Sequence, residues 1–436
     1  MLNYESGVQQ AGYKTIMRRV RIGIIGAGPL TEWAILPALS GPDATAPPDT
    51  GAWWSRRPVA DSQIRYQAPA QPEVVALADA DEERAWRVAG AGRIRAVYSD
   101  WRLMLREAPL DAVICTVSPD LAATVATAEG ARALWLWIDG PPAPSADGAL
   151  QLARVVQGRA RGVWCARPLR RAAAQRAARR LMESSEIGDV SALALRWSTP
   201  LHVAATPGAS TARHDQASNL ASSYAALDLL LAFAAAEESG SAVPARVMAS
   251  EYHGATSLWL QCANGITATA LFAGADNWNA PLPRLEICGT EGRSIICEAG
   301  RRTWLHQPRE PARLLEPPGL GVHLSTANVA GVAEDLKEFL AMCVEPEAVP
   351  PDASTTSGTR GAEALLGAAR ALQVLEAAGA SLAANCCIEI EPLRPSINTS
   401  STAASGAGST APQRQAGEIS NGSATPQETT LTLQLQ

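Results

Sequence analysis

The sequence predicts an N-terminal α/β domain built on a doubly wound parallel sheet, followed by a C-terminal α+β domain with a large, mostly antiparallel sheet. Three observations carry this. Between Val20 and Asp147, short apolar runs alternate with helical stretches, the texture of βαβ units. From about Val190 to Gly300, apolar residues recur at period two between Asn-Gly and other glycine-containing turns, the texture of antiparallel strands. The chain has 436 residues, 47% of them hydrophobic, which is more than one ordinary core needs.

Residues 1–17 read as a loose leader, and residues 18–147 as the first domain. Its strands are VRIGII, EVVALAD, DAVICTV and LWLWID; its helices are LTEWAILPALS, DEERAWRVAGA, DWRLMLREA and LAATVATAEGARA. Residues 41–71 hold no sustained period and are rich in proline, so they read as an insert between the first helix and the second strand. That is the end of a parallel sheet opposite its ligand crevice, which makes Trp53 and Trp54 peripheral packing. Residues 148–394 form the second domain. It opens with a helix near Ala149–Gln157, the short strand GVWCAR and the arginine-rich helix RRAAAQRAARRLMES, whose charges predict a solvated face. The strand VSALALRW and the apolar helix SYAALDLLLAFAA follow, then the strands RVMASEYHG, TSLWLQCANG, ITATALFAG, RLEICGTEG and RSIICEAG. Two helices, VAEDLKEFLAMC and TRGAEALLGAARALQVLEAAG, close the domain. Residues 395–436 are Ser, Thr, Ala, Gly and Gln with few large apolar side chains, so the sequence predicts a disordered tail.

Composition excludes several function classes. Net charge is −6, and no basic stripe is available to neutralise a phosphate backbone, which excludes nucleic acid as the main partner. No stretch reaches the ~18 apolar residues of a membrane span, and the first residues lack the apolar core of a secretory signal. The eight cysteines show no metal-like Cys-x-x-Cys pair and mostly lie in apolar runs, which predicts reduced thiols in a cytoplasmic protein and no metal site. Of the 37 basic residues only Lys14 and Lys337 are lysines. Chemistry that needs a lysine between them is therefore excluded.

The first strand runs directly into Gly26-Ala27-Gly28-Pro29-Leu30-Thr31, and a helix follows. This is the Gly-x-Gly half of a dinucleotide fingerprint, in which one glycine permits the tight turn and the next lets the backbone approach a pyrophosphate. The helix N-terminus supplies free N–H groups and a favourable dipole for the anion. Thr31 replaces the third glycine. The fingerprint also expects an acidic residue about 20 positions on, at the end of the second strand. Asp79 stands 51 positions after Gly28, and setting aside the 31 residues of 41–71 leaves 20. An acidic residue there binds ribose hydroxyls and repels a 2′-phosphate, which favours NAD over NADP. The first domain thus reads as a Rossmann domain.

Taken in order, IGIIGAGPLTEWAILPAL, EVVALADADEERA, YSDWRLMLREAPLDAVICTVSPD, EIGDVSALALRW, YAALDLLLAF and LEICGTEG resemble the Gfo/Idh/MocA oxidoreductases, over roughly Val20 to Glu391. The resemblance implies a nicotinamide cofactor, a small sugar-like or cyclitol substrate, and homo-oligomer contacts through the open C-terminal sheet. It also implies that Ser118-Pro119 matches the family's Thr-Pro turn near the nicotinamide ribose. The departures are specific. Where the family carries Glu-Lys-Pro, with the lysine polarising the reacting oxygen, this chain has Asp139-Gly140-Pro141. Where the family carries an Asp-x-x-x-His pair, alignment on Asp228 places Ala221 and Ala225. An alanine cannot take the proton that leaves an alcohol when its hydride is removed. Two substitutes stand nearby: Tyr224, whose phenol could act as a general acid or simply belong to the core, and His214 beside Asp215, within reach of a cleft or part of a polar loop. Two function classes follow from the sequence: an NAD(P)-dependent oxidoreductase with atypical catalytic residues, or a catalytically silent member that binds a dinucleotide or ligand.

Overall fold

The computed structural model describes residues 18–40, 70–157, 161–201, 213–235, 241–274, 283–315, 327–344 and 357–393; for 157, 213–219, 327–330 and 357–360 it describes the backbone. The insert tryptophans Trp53 and Trp54, the leader and the tail lie outside the described residues.

The N-terminal sheet contains β1 (Arg18–Ile25), β2 (Ala70–Ala78), β3 (Ala96–Tyr98), β4 (Ala112–Cys115), β5 (Trp135–Ile138) and β6 (Val163–Cys165). Its order is β3-β2-β1-β4-β5-β6, with every neighbouring pair parallel. The crossovers carry α1 (Leu36–Ser40), entered through a π-helical turn at Thr31–Ile35, then α2 (Glu82–Gly92), α3 (Trp101–Glu107), α4 (Pro119–Thr127) and α5 (Ala146–Gln157). β4 and β5 are buried on every residue, as a sheet covered on both faces requires. Strand order reverses between β1 and β4, so the connections leave in opposite directions and open a crevice at the carboxyl ends of the strands.

Two boundaries differ from those read from the sequence. β2 begins at Ala70 and so takes the last two residues assigned to the 41–71 insert. The parallel sheet does not stop at Asp147: the chain passes through α5 and adds β6, with Val163 beside Leu136 of β5. The three residues of β6 are too few to declare their sheet by periodicity.

The C-terminal sheet has nine strands in the order β14-β13-β12-β11-β7-β10-β9-β8-β15. They are β7 (Val190–Trp197), β8 (Pro244–Tyr252), β9 (Ala255–Cys262), β10 (Thr267–Phe272), β11 (Arg284–Gly289), β12 (Ser294–Glu298), β13 (Arg302–His306), β14 (Arg313–Leu314) and β15 (Ile388–Glu389). Described pairings are antiparallel except β7 with β10. One face packs on α8 (Arg213–Phe233) and α10 (Ser357–Ala384), enclosing Leu227, Leu230, Phe272, Ile287 and Leu372 in one apolar core.

Helix α9 (Ala327–Val344) is distant in sequence from the first sheet yet completes its core. Val332, Leu336, Phe339 and Leu340 pack with Val20, Ile22 and Ile24 of β1. Asp335 goes in with them, 1% exposed, because its carboxylate is fully engaged. It accepts the indole N–H groups of Trp137 at 2.7 Å and Trp164 at 2.8 Å, and the amide of Arg167 at 3.2 Å.

The arginine-rich stretch corrects the expectation of a solvated face. It forms α6 (Pro168–Arg171) and α7 (Ala173–Glu183), and several of its guanidinium groups point inward. Arg170 grips the buried Asp228 of α8 at 2.6 and 2.5 Å. Arg179, 9% exposed, donates to the carbonyl of Ala232 and lies 4.8 Å over the Phe233 ring. Charge pattern alone could not separate these inward arginines from the outward ones.

Candidate functional site

A cleft of about 660 Å³ lies at the carboxyl ends of β1, β2, β4 and β5. The glycine loop forms its floor. Gly26 has φ +104°, and a Cβ there would come 2.6 Å from both the carbonyl oxygen and the Oγ1 of Thr116. Glycine is therefore required here by backbone conformation and by the close approach of the chain after β4. Gly28 is different: nothing lies within 4 Å of the position its Cβ would take, so its missing side chain leaves open space in the cleft. Thr31, the departure from the third glycine, is fully buried and ties the loop down, with its Oγ1 2.7 Å from the carbonyl of Gly26 and 2.8 Å from Oγ1 of Thr116.

Asp79 stands just past β2 on the same wall, as its spacing predicted. Its carboxylate accepts the amide of Ala27 at 2.7 Å, the amide of Asp81 at 2.9 Å and two guanidinium N–H groups of Arg84 at 2.7 and 3.3 Å. Burial by itself raises its pKa, but the hydrogen bonds from Arg84, Ala27 and Asp81 and the Arg84 charge outweigh that and hold the group below the usual carboxylate range. Sequence reading missed Arg84. Its pairing with a residue five positions away depends on the turn through the helix-capping Asp81. Ser118 and Pro119, at the start of α4, line the cleft beside Thr116. Ala27, Pro29 and Leu30 complete the loop, with Pro29 and Leu30 on the lining.

The far wall belongs to the turn after β5. Asp139, Gly140 and Pro141 all line the cleft, and the Gly140–Pro141 bond is cis. Burial pushes the Asp139 carboxyl up to about 7; the negative charge of Asp335 adds to this, and the Gly140 amide opposes it. Ala221 of α8 faces the same cleft, so the structure brings Gly140 and Ala221 together. Ala225 packs against the C-terminal core.

Tyr224, one of the two substitutes offered by the sequence, lies in the C-terminal core. It is 3% exposed, and its hydroxyl meets the Sγ of Cys165 at 3.6 Å, away from the cleft lining. Burial pushes its pKa well above the ordinary phenol value. Its ring has another role: a Cβ on Gly140 would lie 2.5 Å from Tyr224 Cε1. The tyrosine thus fills the space a side chain at position 140 would need. The apolar setting of the helix hid this, since the contact spans 84 residues of chain. His214 lies in the first turn of α8, and its side chain lies outside the described residues.

No protein-family model matches the sequence, and no curated protein matches it either. Solved structures do match. Levoglucosan dehydrogenase in complex with NADH and levoglucosan aligns with a TM-score of 0.63 at 16% identity, covering 86% of this chain and 100% of that one. An NAD-binding oxidoreductase from Klebsiella pneumoniae aligns with a TM-score of 0.63 at 16% identity, covering 86% of this chain and 99% of that one. A dehydrogenase from Chromobacterium violaceum gives 0.61 at 17%, over 85% and 96%. The parallel six-stranded sheet with its crossover helices, the nine-stranded sheet and their order in the chain are therefore the two-domain fold of these oxidoreductases.

Proposed function

We propose that this protein is an NAD-dependent oxidoreductase of the Gfo/Idh/MocA type, acting on a small, sugar-like substrate with catalytic residues unlike the family's usual set. The observation that carries the reading is the open position at Gly28, beside Asp79 and at the reversal of strand order. A pyrophosphate needs backbone to approach without a side chain in the way, and the space is there. The pieces fit a dinucleotide: the loop from Gly26 to Leu30 for the pyrophosphate, Asp79 for the adenosine ribose, and Ser118, Pro119 and Asp139 along the nicotinamide half. The nicotinamide, when bound, supplies the hydride acceptor or donor. Structures with the same fold hold NADH with levoglucosan and NADH with L-sorbose, which supports both the cofactor and the substrate class. Asp79 favours NAD, although the Arg84 guanidinium offsets part of its charge against a 2′-phosphate. We place the protein in the cytoplasm, as a homo-oligomer joined through the outer face of the nine-stranded sheet, where Met248 is 45% exposed and Trp259 half-buried.

A second reading has its own observation. Gly140, Ala221 and Ala225 hold none of the family's proton-handling groups, and Tyr224 occupies the room a lysine at 140 would use. On this reading the protein binds the dinucleotide without turnover. A panel of aldoses, cyclitols, anhydrosugars and their keto forms, assayed with NAD(H) and NADP(H), separates the two. Cofactor-dependent turnover of any member supports the oxidoreductase. Tight cofactor binding with no turnover supports the silent member.

A further inference from the structure

The dinucleotide reading sets Asp139 along the nicotinamide half but gives its carboxyl no chemical role. Among the described residues lining the cleft, the ionisable side chains are Asp79, Arg84 and Asp139. Asp79 and Arg84 neutralise each other at the end of β2. Asp139 stands two strands beyond β1 on the opposite side, at the end of β5. A dinucleotide with its adenosine ribose at Asp79 and its pyrophosphate on Gly28 must run its other half toward β4 and β5, which brings the nicotinamide to Asp139. There the backbone N–H of Asp139 is bonded to the carbonyl of Cys115 at 2.9 Å, which fixes the residue on the cleft wall. Among the described residues, the donor to its carboxyl is the amide of Gly140.

We propose that Asp139 is the proton-exchanging group of the nicotinamide end: its carboxyl is ionised beside the cationic oxidised ring and protonated beside the neutral reduced ring. The proposal rests on the dinucleotide reading above. Only the carboxyl O–H bond forms or breaks, with the proton taken from or returned to solvent. The surroundings leave this balance to the ring. From α9, the buried Asp335 disfavours a second negative charge. From α8 and β6, Tyr224 and Cys165 are bonded to each other, and burial raises the pKa of both, so they stay neutral. Arg167 and Arg170 face Asp228, at 3.7 and 2.5 Å. No cation is thus left at Asp139 by these neighbours, and burial keeps its carboxyl near pH 7. A positive ring then tips it to the ionised form, and loss of that charge tips it back. By linkage, the same proton alters the affinity for each redox state of the nucleotide.

The test needs no substrate. Dissociation constants for NAD+ and NADH are measured by calorimetry from pH 6 to 8.5 on the full-length protein and on Asp139→Asn. For the wild type, the preference for NADH over NAD+ should fall by about tenfold as pH rises through 7, the effect of one charge pair across a partly solvated cleft. The Asp139→Asn protein should show no such slope. An unchanged slope in the variant, or a flat wild-type profile with both nucleotides bound, would overturn the proposal. A second measurement needs only the wild type. Binding enthalpies at pH 7 in two buffers of different ionisation enthalpy should show proton uptake with NADH and proton release with NAD+. Equal proton numbers would contradict it. If neither nucleotide binds at any pH, the dinucleotide reading itself has failed, and this proposal falls with it.

Discussion

A single methylene decides much of this site. Gly140 and Tyr224 are complementary, since a Cβ at 140 would stand 2.5 Å from the tyrosine ring. Gly140→Lys should therefore lower the melting temperature sharply. Tyr224→Ala alone should cost about 3–5 kcal/mol, as large-to-small core changes of aromatic residues do. Combined with Gly140→Lys it should cost much less than the sum, because the lysine then occupies the vacated space. Thermal unfolding of the four proteins checks this, and additive costs would show that the two residues do not compete for the same volume. Asp139 gives a pH signature of the same kind. Its pKa is raised from 3.8 to about 7 on folding, so the folded state binds the proton more tightly. The stability it contributes is present below pH 4 and is lost as pH rises toward 7. Asp139→Asn cannot ionise and should stabilise the protein at pH 8 while leaving it nearly unchanged at pH 4, as melting temperatures at the two pH values will report. At the other wall, Arg84→Ala should leave Asp79 uncompensated. The ratio of NADPH to NADH dissociation constants should then rise by about tenfold, the scale of one lost charge pair; an unchanged ratio would remove Arg84 from cofactor discrimination.

At the scale of elements, legibility followed local pattern. The long runs were plain: VRIGII became β1, VSALALRW became β7, and Asp79 lies just past β2, bonded to the glycine loop at Ala27. Most of what stayed hidden was short or long-range, although the five-residue β13 was missed too. β3, β14 and β15 have two or three residues each and no period to recognise. Thr116, Arg84 and the Tyr224–Gly140 contact belong to the site through positions 84 to 90 residues apart or through a loop geometry that composition does not encode. The role of α9 is the clearest case. Its apolar spacing announced a helix, but nothing in its sequence said that it would cover the sheet of the other domain. Phe339 is fully buried in that contact. Phe339→Ala should cost about 3–5 kcal/mol. The loss should appear in hydrogen exchange of β1 and β2 as well as of α9 itself. Protection lost from α9 alone would mean that the helix is not part of the N-terminal core.

For the whole molecule, the fold follows from two periodicities in one chain, and the candidate site lies where that fold leaves space. The parallel sheet creates a crevice where its strand order reverses, the loop after β1 keeps that crevice free at Gly28, and the turn after β5 closes it with Asp139 and Gly140. Position 140, where the family resemblance implies a lysine, is glycine, and the space a side chain there would need is filled by the Tyr224 ring. The claim on which all else depends is that the cleft over Gly28 holds the dinucleotide. Titration of the wild-type protein and of Gly28→Val with NADH, followed by nucleotide fluorescence, tests it most directly. Saturable binding to the wild type, lost in a Gly28→Val protein with an unchanged melting temperature, is the predicted result. Equal affinity of the two proteins, or no binding to the wild type, would contradict it.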